Sequence, residues 1–135
     1  MNCDYAGKCS GCAWIEKPYS VQRKLKEDSF KDSFRKLEID TPEEITFVPF
    51  EEGGLRDRVD LAFRKNDEKS SLGLFDMERT EVLDLESCPM MSENLEELFL
   101  DFRKDLPDVK IASIRLRVSP TELRGIWLDL PNESV

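Results

Sequence analysis

The chain has 135 residues, enough for one domain around one core and too few for two of ordinary size. About 39% of the residues are apolar and 36% charged, and no apolar stretch approaches the roughly 18 residues of a membrane helix. The net charge of −9 argues by itself against broad electrostatic capture of nucleic acid.

That charge is unevenly spread. Residues 1–40 carry eight Lys/Arg and seven Asp/Glu, whereas the remainder carries twelve and twenty-two. A basic surface near the N-terminus is therefore compatible with an acidic protein. The first residues are small and polar and form no apolar signal core, so a cytoplasmic location is expected. In that compartment clustered cysteines stay reduced and bind metal more often than they form disulfides.

Residues 1–13 read as a loop rich in Gly and Cys, with Cys3, Cys9 and Cys12 in a C-x5-C-x2-C spacing. Pro18 opens a helix from Tyr19 to about Leu37, with Val21, Leu25, Phe30, Phe34 and Leu37 along one face. Thr41-Pro42 breaks it, Ile45 to Phe50 reads as a short strand, and Gly53-Gly54 as a turn. Arg56 to Lys65 alternates, with Val59, Leu61 and Phe63 on one side and Arg58, Asp60, Ala62 and Arg64 on the other. A polar turn over Asn66 to Ser71 joins it to Leu72-Gly73-Leu74-Phe75 as a hairpin.

Glu81 to Leu85 continues as a strand and delivers Cys88. Ser92, with Glu93 or Asn94 competing, is placed to cap a helix bearing Leu95, Leu98, Phe99 and Phe102, which stops before Pro107. Ile111 to Ser119 buries Ala112, Ile114, Leu116 and Val118 and turns Ser113, Arg115 and Arg117 outward. Gly125 to Leu130 is the last strand, with Trp127 expected to pack at a sheet edge. The expected architecture is α+β: an antiparallel sheet with two helices and a cysteine-rich N-terminal metal-binding loop, in one domain over residues 1–135, with the loop at 1–18 and the body at 19–135.

Four thiolates converging on one point select zinc or an iron–sulfur centre. Structural zinc favours two close pairs of ligands, whereas the second half here is the isolated Cys88. A 4Fe-4S cluster accepts three ligands from one loop and a fourth from elsewhere, often just before a proline, and Pro89 follows Cys88. Cys3, Cys9, Cys12 and Cys88 are the expected ligand set, with zinc as the alternative; taken alone, Cys88 would read as a buried core thiol. Arg56, Arg58 and Arg64 on one strand and Arg115 and Arg117 on another are candidate RNA contacts, since the guanidinium fork suits phosphate. The plainer expectation pairs them with Asp57, Asp60, Glu81 and Asp84 on a solvated sheet face. Trp14 and Tyr19 are expected to shield the cysteine centre, with base stacking as the alternative. The pairs Glu43-Glu44, Glu51-Glu52 and Glu96-Glu97 point to different sides of their segments and read as solvated surface.

The run Cys9-Ser10-Gly11-Cys12 followed by Tyr19-x2-Gln22-x3-Lys26 resembles the cluster motif of bacterial uracil-5-methyltransferases acting on 23S ribosomal RNA. Leu55-Arg56-Asp57-Arg58-Val59 is similar to that family's Tyr-Arg-Asn-Arg-Val strand, Leu72-Gly73-Leu74-Phe75 to its Leu-Gly-Phe hairpin, and Val82 to Met91 to the segment supplying its fourth ligand. Together these cover roughly residues 3–100 in order. Ile15-Glu16 stands where the family has Gln-His, and Leu55 and Asp57 depart from its strand.

The resemblance implies a 4Fe-4S cluster of structural role and ribosomal RNA as partner. It also implies a separate domain that binds S-adenosylmethionine and transfers the methyl group. No Gly-x-Gly-x-x-Gly occurs here, and the family's catalytic cysteine has no counterpart once all four cysteines are assigned. The chain is therefore expected to be the cluster-bearing central domain, a fragment or stand-alone relative that neither binds S-adenosylmethionine nor catalyses methyl transfer alone. A zinc-stabilised protein-interaction domain is the competing expectation.

Overall fold

In a computed structural model of the protein, residues 2–50 and 53–131 are described. Two helices and five strands follow in the order α1 (Tyr19–Lys36), β1 (Arg58–Lys65), β2 (Ser70–Phe75), β3 (Val82–Asp84), α2 (Glu93–Arg103), β4 (Ile111–Val118) and β5 (Arg124–Asp129). The strands form one antiparallel sheet in the order β3-β2-β1-β4-β5. This is the α+β architecture expected from the alternating and helical apolar patterns.

The register of β1 against β4 sets the two faces of the sheet. Val59, Leu61 and Phe63 lie opposite Leu116, Ile114 and Ala112, and all six are buried. One residue out of phase, Arg58, Asp60 and Ala62 face Arg117, Arg115 and Ser113 on the polar side. The buried face is covered by α2, whose Leu95, Leu98 and Phe99 complete the core. Ser92 caps α2, its hydroxyl accepting from the Leu95 amide at 3.4 Å. Gly73 in β2 sits where β3 crosses closely; a Cβ there would run into the Leu83 carbonyl oxygen and the Leu85 side chain.

One expectation is corrected: residues 45–50 belong to no strand, and the sheet holds β1 to β5 alone among the described residues. The expected helix α1 forms over Tyr19–Lys36, but it buries none of its residues, and Val21, Leu25 and Phe30 stay exposed. Among the Glu pairs, Glu43-Glu44 is exposed, while Glu51-Glu52 lies outside the described residues. No helix among the described residues is long and apolar enough to cross a membrane.

Ion pairs tie α2 to the sheet at both edges: Arg124 of β5 holds Glu97 and Asp101 at 2.7 and 3.2 Å, and Arg103 holds Asp84 beside β2. Arg103 of α2 donates to both oxygens of Asp84 at 2.9 and 3.2 Å, and the Leu72 amide donates to the same carboxylate at 2.8 Å. Burial pushes the Asp84 carboxyl up, but Arg103 and the Leu72 amide outweigh it and hold the group below the usual carboxylate range. A depressed carboxyl stabilises the fold above its unfolded-chain value of about 4, and that contribution is lost as pH falls through the lower folded value. Asp84→Asn should therefore cost about 1–3 kcal/mol at pH 7. Urea unfolding at pH 7 and pH 3 should show the gap to wild type narrowing in acid, whereas a gap independent of pH would mean the carboxylate charge is not what Arg103 holds.

Candidate functional site

The cysteine loop is a series of tight turns. The Ala6 amide donates to the Cys3 carbonyl at 3.1 Å, and the Lys8 and Cys9 amides donate to the Tyr5 carbonyl at 3.1 and 2.9 Å. Gly7, at φ +72°, supplies the left-handed residue such winding needs. The loop then fastens to the end of β2. Ser10 donates from both its amide (3.0 Å) and its hydroxyl (2.7 Å) to the Phe75 carbonyl, and the Met77 amide donates to the Lys8 carbonyl at 2.9 Å.

Tyr5 makes the second attachment. Its hydroxyl donates to the Asp84 carbonyl at 3.2 Å and accepts from the Glu86 amide at 2.9 Å, binding the loop to the segment that carries Cys88. Arg56 makes the third, its guanidinium donating to the Gly11 carbonyl at 2.9 Å and reaching the Cys12 sulfur at 3.6 Å. Backbone bonds from Arg56 to Met90 (2.9 Å) and from Ser92 to Arg56 (2.8 Å) hold the Cys88 segment against the same residue. Tyr5 went unnoticed in the sequence, although an aromatic residue between two loop cysteines was the available signal.

As a result all four cysteines line one small cavity of about 20 Å³, closed by Tyr5, Ile15, Leu74, Leu85 and Met90. All four are half-buried free thiols. The Gly11 amide donates to Cys9 Sγ at 3.3 Å, and the Met91 amide donates to the Cys88 carbonyl at 3.0 Å. A Cβ on Gly11 would lie 2.7 Å from Leu74 Cδ1 and 3.4 Å from Cys9 Sγ, so a larger residue there would displace the Leu74 methyl. Burial pushes the Cys9 thiol up against the pull of the Gly11 amide, and the nearby Cys12 and Cys3 add to the rise. The Cys88 thiol is likewise raised, first by burial, with the Met90 amide opposing and Cys12 contributing. Among the described residues, no three Cys, Asp or Glu side chains converge tightly enough to grip a single metal ion as they stand.

The arginines divide. Arg56 serves the cysteine loop. Arg117 pairs with Asp60 at 2.6 Å, as the plainer reading expected, and Arg115 pairs with Asp129 of β5, also at 2.6 Å. Arg64 lies over the Phe75 ring at 5.8 Å, and Arg58 is exposed beside Arg117. The two strands are neighbours, so Arg58, Arg64, Arg115 and Arg117 share one sheet face, with Asp60 and Asp129 among them.

Trp14 and Tyr19 are absent from the walls of the cysteine cavity. They line a larger, open groove of about 860 Å³ outside it, together with Phe47, Phe50, Lys17 and Lys26. Cys12, Gly11, Ile15, Arg56 and Met90 border both spaces. The reason Trp14 does not shield is positional: Tyr5 and Ile15 already occupy the cavity wall.

With this geometry in place, three relatives are informative. A Bdellovibrio bacteriovorus protein named as an uncharacterized RNA methyltransferase is 35% identical over 133 residues, which is 98% of this chain and 33% of that protein. A Nitratidesulfovibrio vulgaris protein of the same description is 32% identical over 93 residues, 67% of this chain and 20% of its own length. One from Aquifex aeolicus is 28% identical over 127 residues, 88% of this chain and 28% of its own. No family model and no solved structure matches.

Tyr5→Phe deletes one donor and one acceptor without changing shape, and should destabilise the chain by about 1–2 kcal/mol. Amide exchange at Cys9 and Ser10 should accelerate more than in the sheet; equal rates in both proteins would show that the hydroxyl does not anchor the loop. The chain is related to proteins named as RNA methyltransferases and spans about a third or less of their length.

Proposed function

We propose that this chain is the metal-centred RNA-recognition part of an RNA methyltransferase. In this reading Cys3, Cys9, Cys12 and Cys88 hold a 4Fe-4S cluster. The observation that carries it is that three cysteines of the N-terminal loop and one from the β3–α2 connection border a single cavity.

The donor set fits such a group in two ways. It is all thiolate, the soft ligand iron–sulfur centres use. The Gly11 N–H already points at Cys9, an outer interaction of the kind that stabilises charge on cluster sulfurs. The cavity of about 20 Å³ has room for about one water, so the loop and the Cys88 segment would move apart to admit a cluster. The choice of a cluster over zinc rests on the ligand spacing and the motif resemblance. When bound, the cluster supplies a covalent staple between the N-terminal loop and the sheet.

RNA as ligand rests on the kinship with proteins named as RNA methyltransferases. The motif resemblance narrows this to uracil-5 methylation of ribosomal RNA. Binding of S-adenosylmethionine and methyl transfer belong to polypeptide outside the matched third, so this chain contributes recognition and no catalytic residue. The exposed Arg58 and the stacked Arg64 are the sheet-face cations with least carboxylate competition.

The test uses protein purified without oxygen and a labelled ribosomal RNA fragment. Binding should weaken steeply as salt rises. Cys88→Ser should lose its metal, keep most of the far-UV signal of the sheet, and bind RNA at least about ten-fold more weakly, because metal binding and loop order are linked. Full metal occupancy in Cys88→Ser would mean the ligand set is wrong. Absence of RNA binding by the wild-type chain would mean the recognition role is wrong.

A further inference from the structure

We infer that the groove beside the cysteine loop is a stacking site for unpaired nucleotides of single-stranded RNA. The bases lie against Trp14, Phe47 and Phe50, and the backbone phosphates against Lys17 and Lys26. The inference deepens the RNA-recognition reading and rests on it.

Four of the twelve aromatic residues of the chain line this one groove. They are not core: Phe50 is 74% exposed and Trp14 36%. A soluble chain rarely leaves several large rings together in water without a ligand to cover them. The rings are also held in place. Gln22 donates to the carbonyls of Trp14 (3.1 Å) and Lys17 (2.9 Å), pinning the loop that carries the tryptophan to α1. Phe47 is set by the edge of Tyr19, 6.3 Å away at 67°, and by the Arg23 guanidinium 5.1 Å from its centroid. Pre-set aromatic faces lower the ordering cost of binding a planar ligand.

Charge then selects the ligand. In a protein of net charge −9, the described lining residues of the groove include Lys17, Lys26 and Arg56 against Glu16. The adjoining helix α1 carries six Lys/Arg and three Asp/Glu. Aromatic faces alternating with cations are the arrangement that binds single-stranded nucleic acid, since every base offers a π-face and every nucleotide a phosphate. A duplex hides its base faces and cannot use such a site. The groove volume of about 860 Å³ accommodates more than one nucleotide. Its inner wall is the cysteine loop, through Gly11 and Cys12, together with the Arg56 that holds that loop, so order at the cysteine centre is order in the groove.

The experiment uses the full chain, purified without oxygen, carrying Trp127→Phe so that Trp14 is the sole tryptophan. Short single-stranded oligouridylate should quench Trp14 fluorescence, and a blunt RNA duplex of equal length should bind at least ten-fold more weakly. Trp14→Ala and Phe50→Ala should each weaken oligouridylate binding by roughly 5- to 100-fold, the range for loss of one stacked base. Both should leave metal content and far-UV circular dichroism unchanged. Should Trp14→Ala disturb the metal, Phe50→Ala, whose ring does not border the cysteine cavity, decides alone. Lys17→Gln with Lys26→Gln should lower the salt slope by roughly 1.4.

RNA affinity unchanged in both aromatic variants, or duplex bound as tightly as single strand, overturns the stacking site and leaves RNA recognition elsewhere on the chain standing. No binding of any RNA overturns the stacking site and the recognition reading together.

Discussion

The contact on which the rest depends is the reach of Arg56 across to the cysteine loop. Arg56 stands just before β1, and its backbone bonds the segment bearing Cys88 while its guanidinium holds the Gly11 carbonyl and faces Cys12. One residue thus joins three distant parts of the chain: the sheet, the loop with three cysteines, and the connection with the fourth. A guanidinium can do this because its planar fork offers several donors at fixed angles; a lysine in the same place would supply a point charge and lose the geometry. The same side chain borders the outer groove. The cavity and the groove therefore share a wall, and whatever orders one orders the other.

Hydrogen bonds alone already bring the cysteines together. Tyr5, Ser10 and Arg56 supply the attachments, and each is modest by itself, about 1 kcal/mol net for a typical bond. Those of Tyr5 and Arg56 would be costly to leave unmade, because both residues are half-buried. A loop wound this tightly around four thiols, two of them pushed toward the neutral form by burial, gains little as a plain core element. On the proposed reading it serves as a ligand set, and these bonds already meet part of the ordering cost of binding.

Much of this was legible in the sequence because it is written in short periods. The alternation of Val59, Leu61 and Phe63, and of Ala112, Ile114, Leu116 and Val118, specified both strands and their buried faces, and the register places these two runs against each other. Ser92 announced α2. The apolar stripe of α1 was equally clear as a helix, but periodicity names a face without naming what covers it, and here Val21, Leu25 and Phe30 remain exposed. Residues 45–50 have strand composition, yet strand formation is decided by a partner edge that no local pattern reveals. The convergence of Cys88 on the N-terminal loop was inferable only from chelating spacing and motif likeness. The positions of Phe47 and Phe50 depend on long-range packing that no local pattern shows, and Tyr5 offered only its place between two loop cysteines as a signal.

The account stands or falls on the nature of the centre the four cysteines surround. The most direct measurement is the iron and inorganic sulfide content of the wild-type chain purified without oxygen, read together with its visible absorption spectrum. About four irons and four sulfides per chain with a brown chromophore is the predicted result. Stoichiometric zinc without iron, or no metal with the chain fully folded, would contradict it.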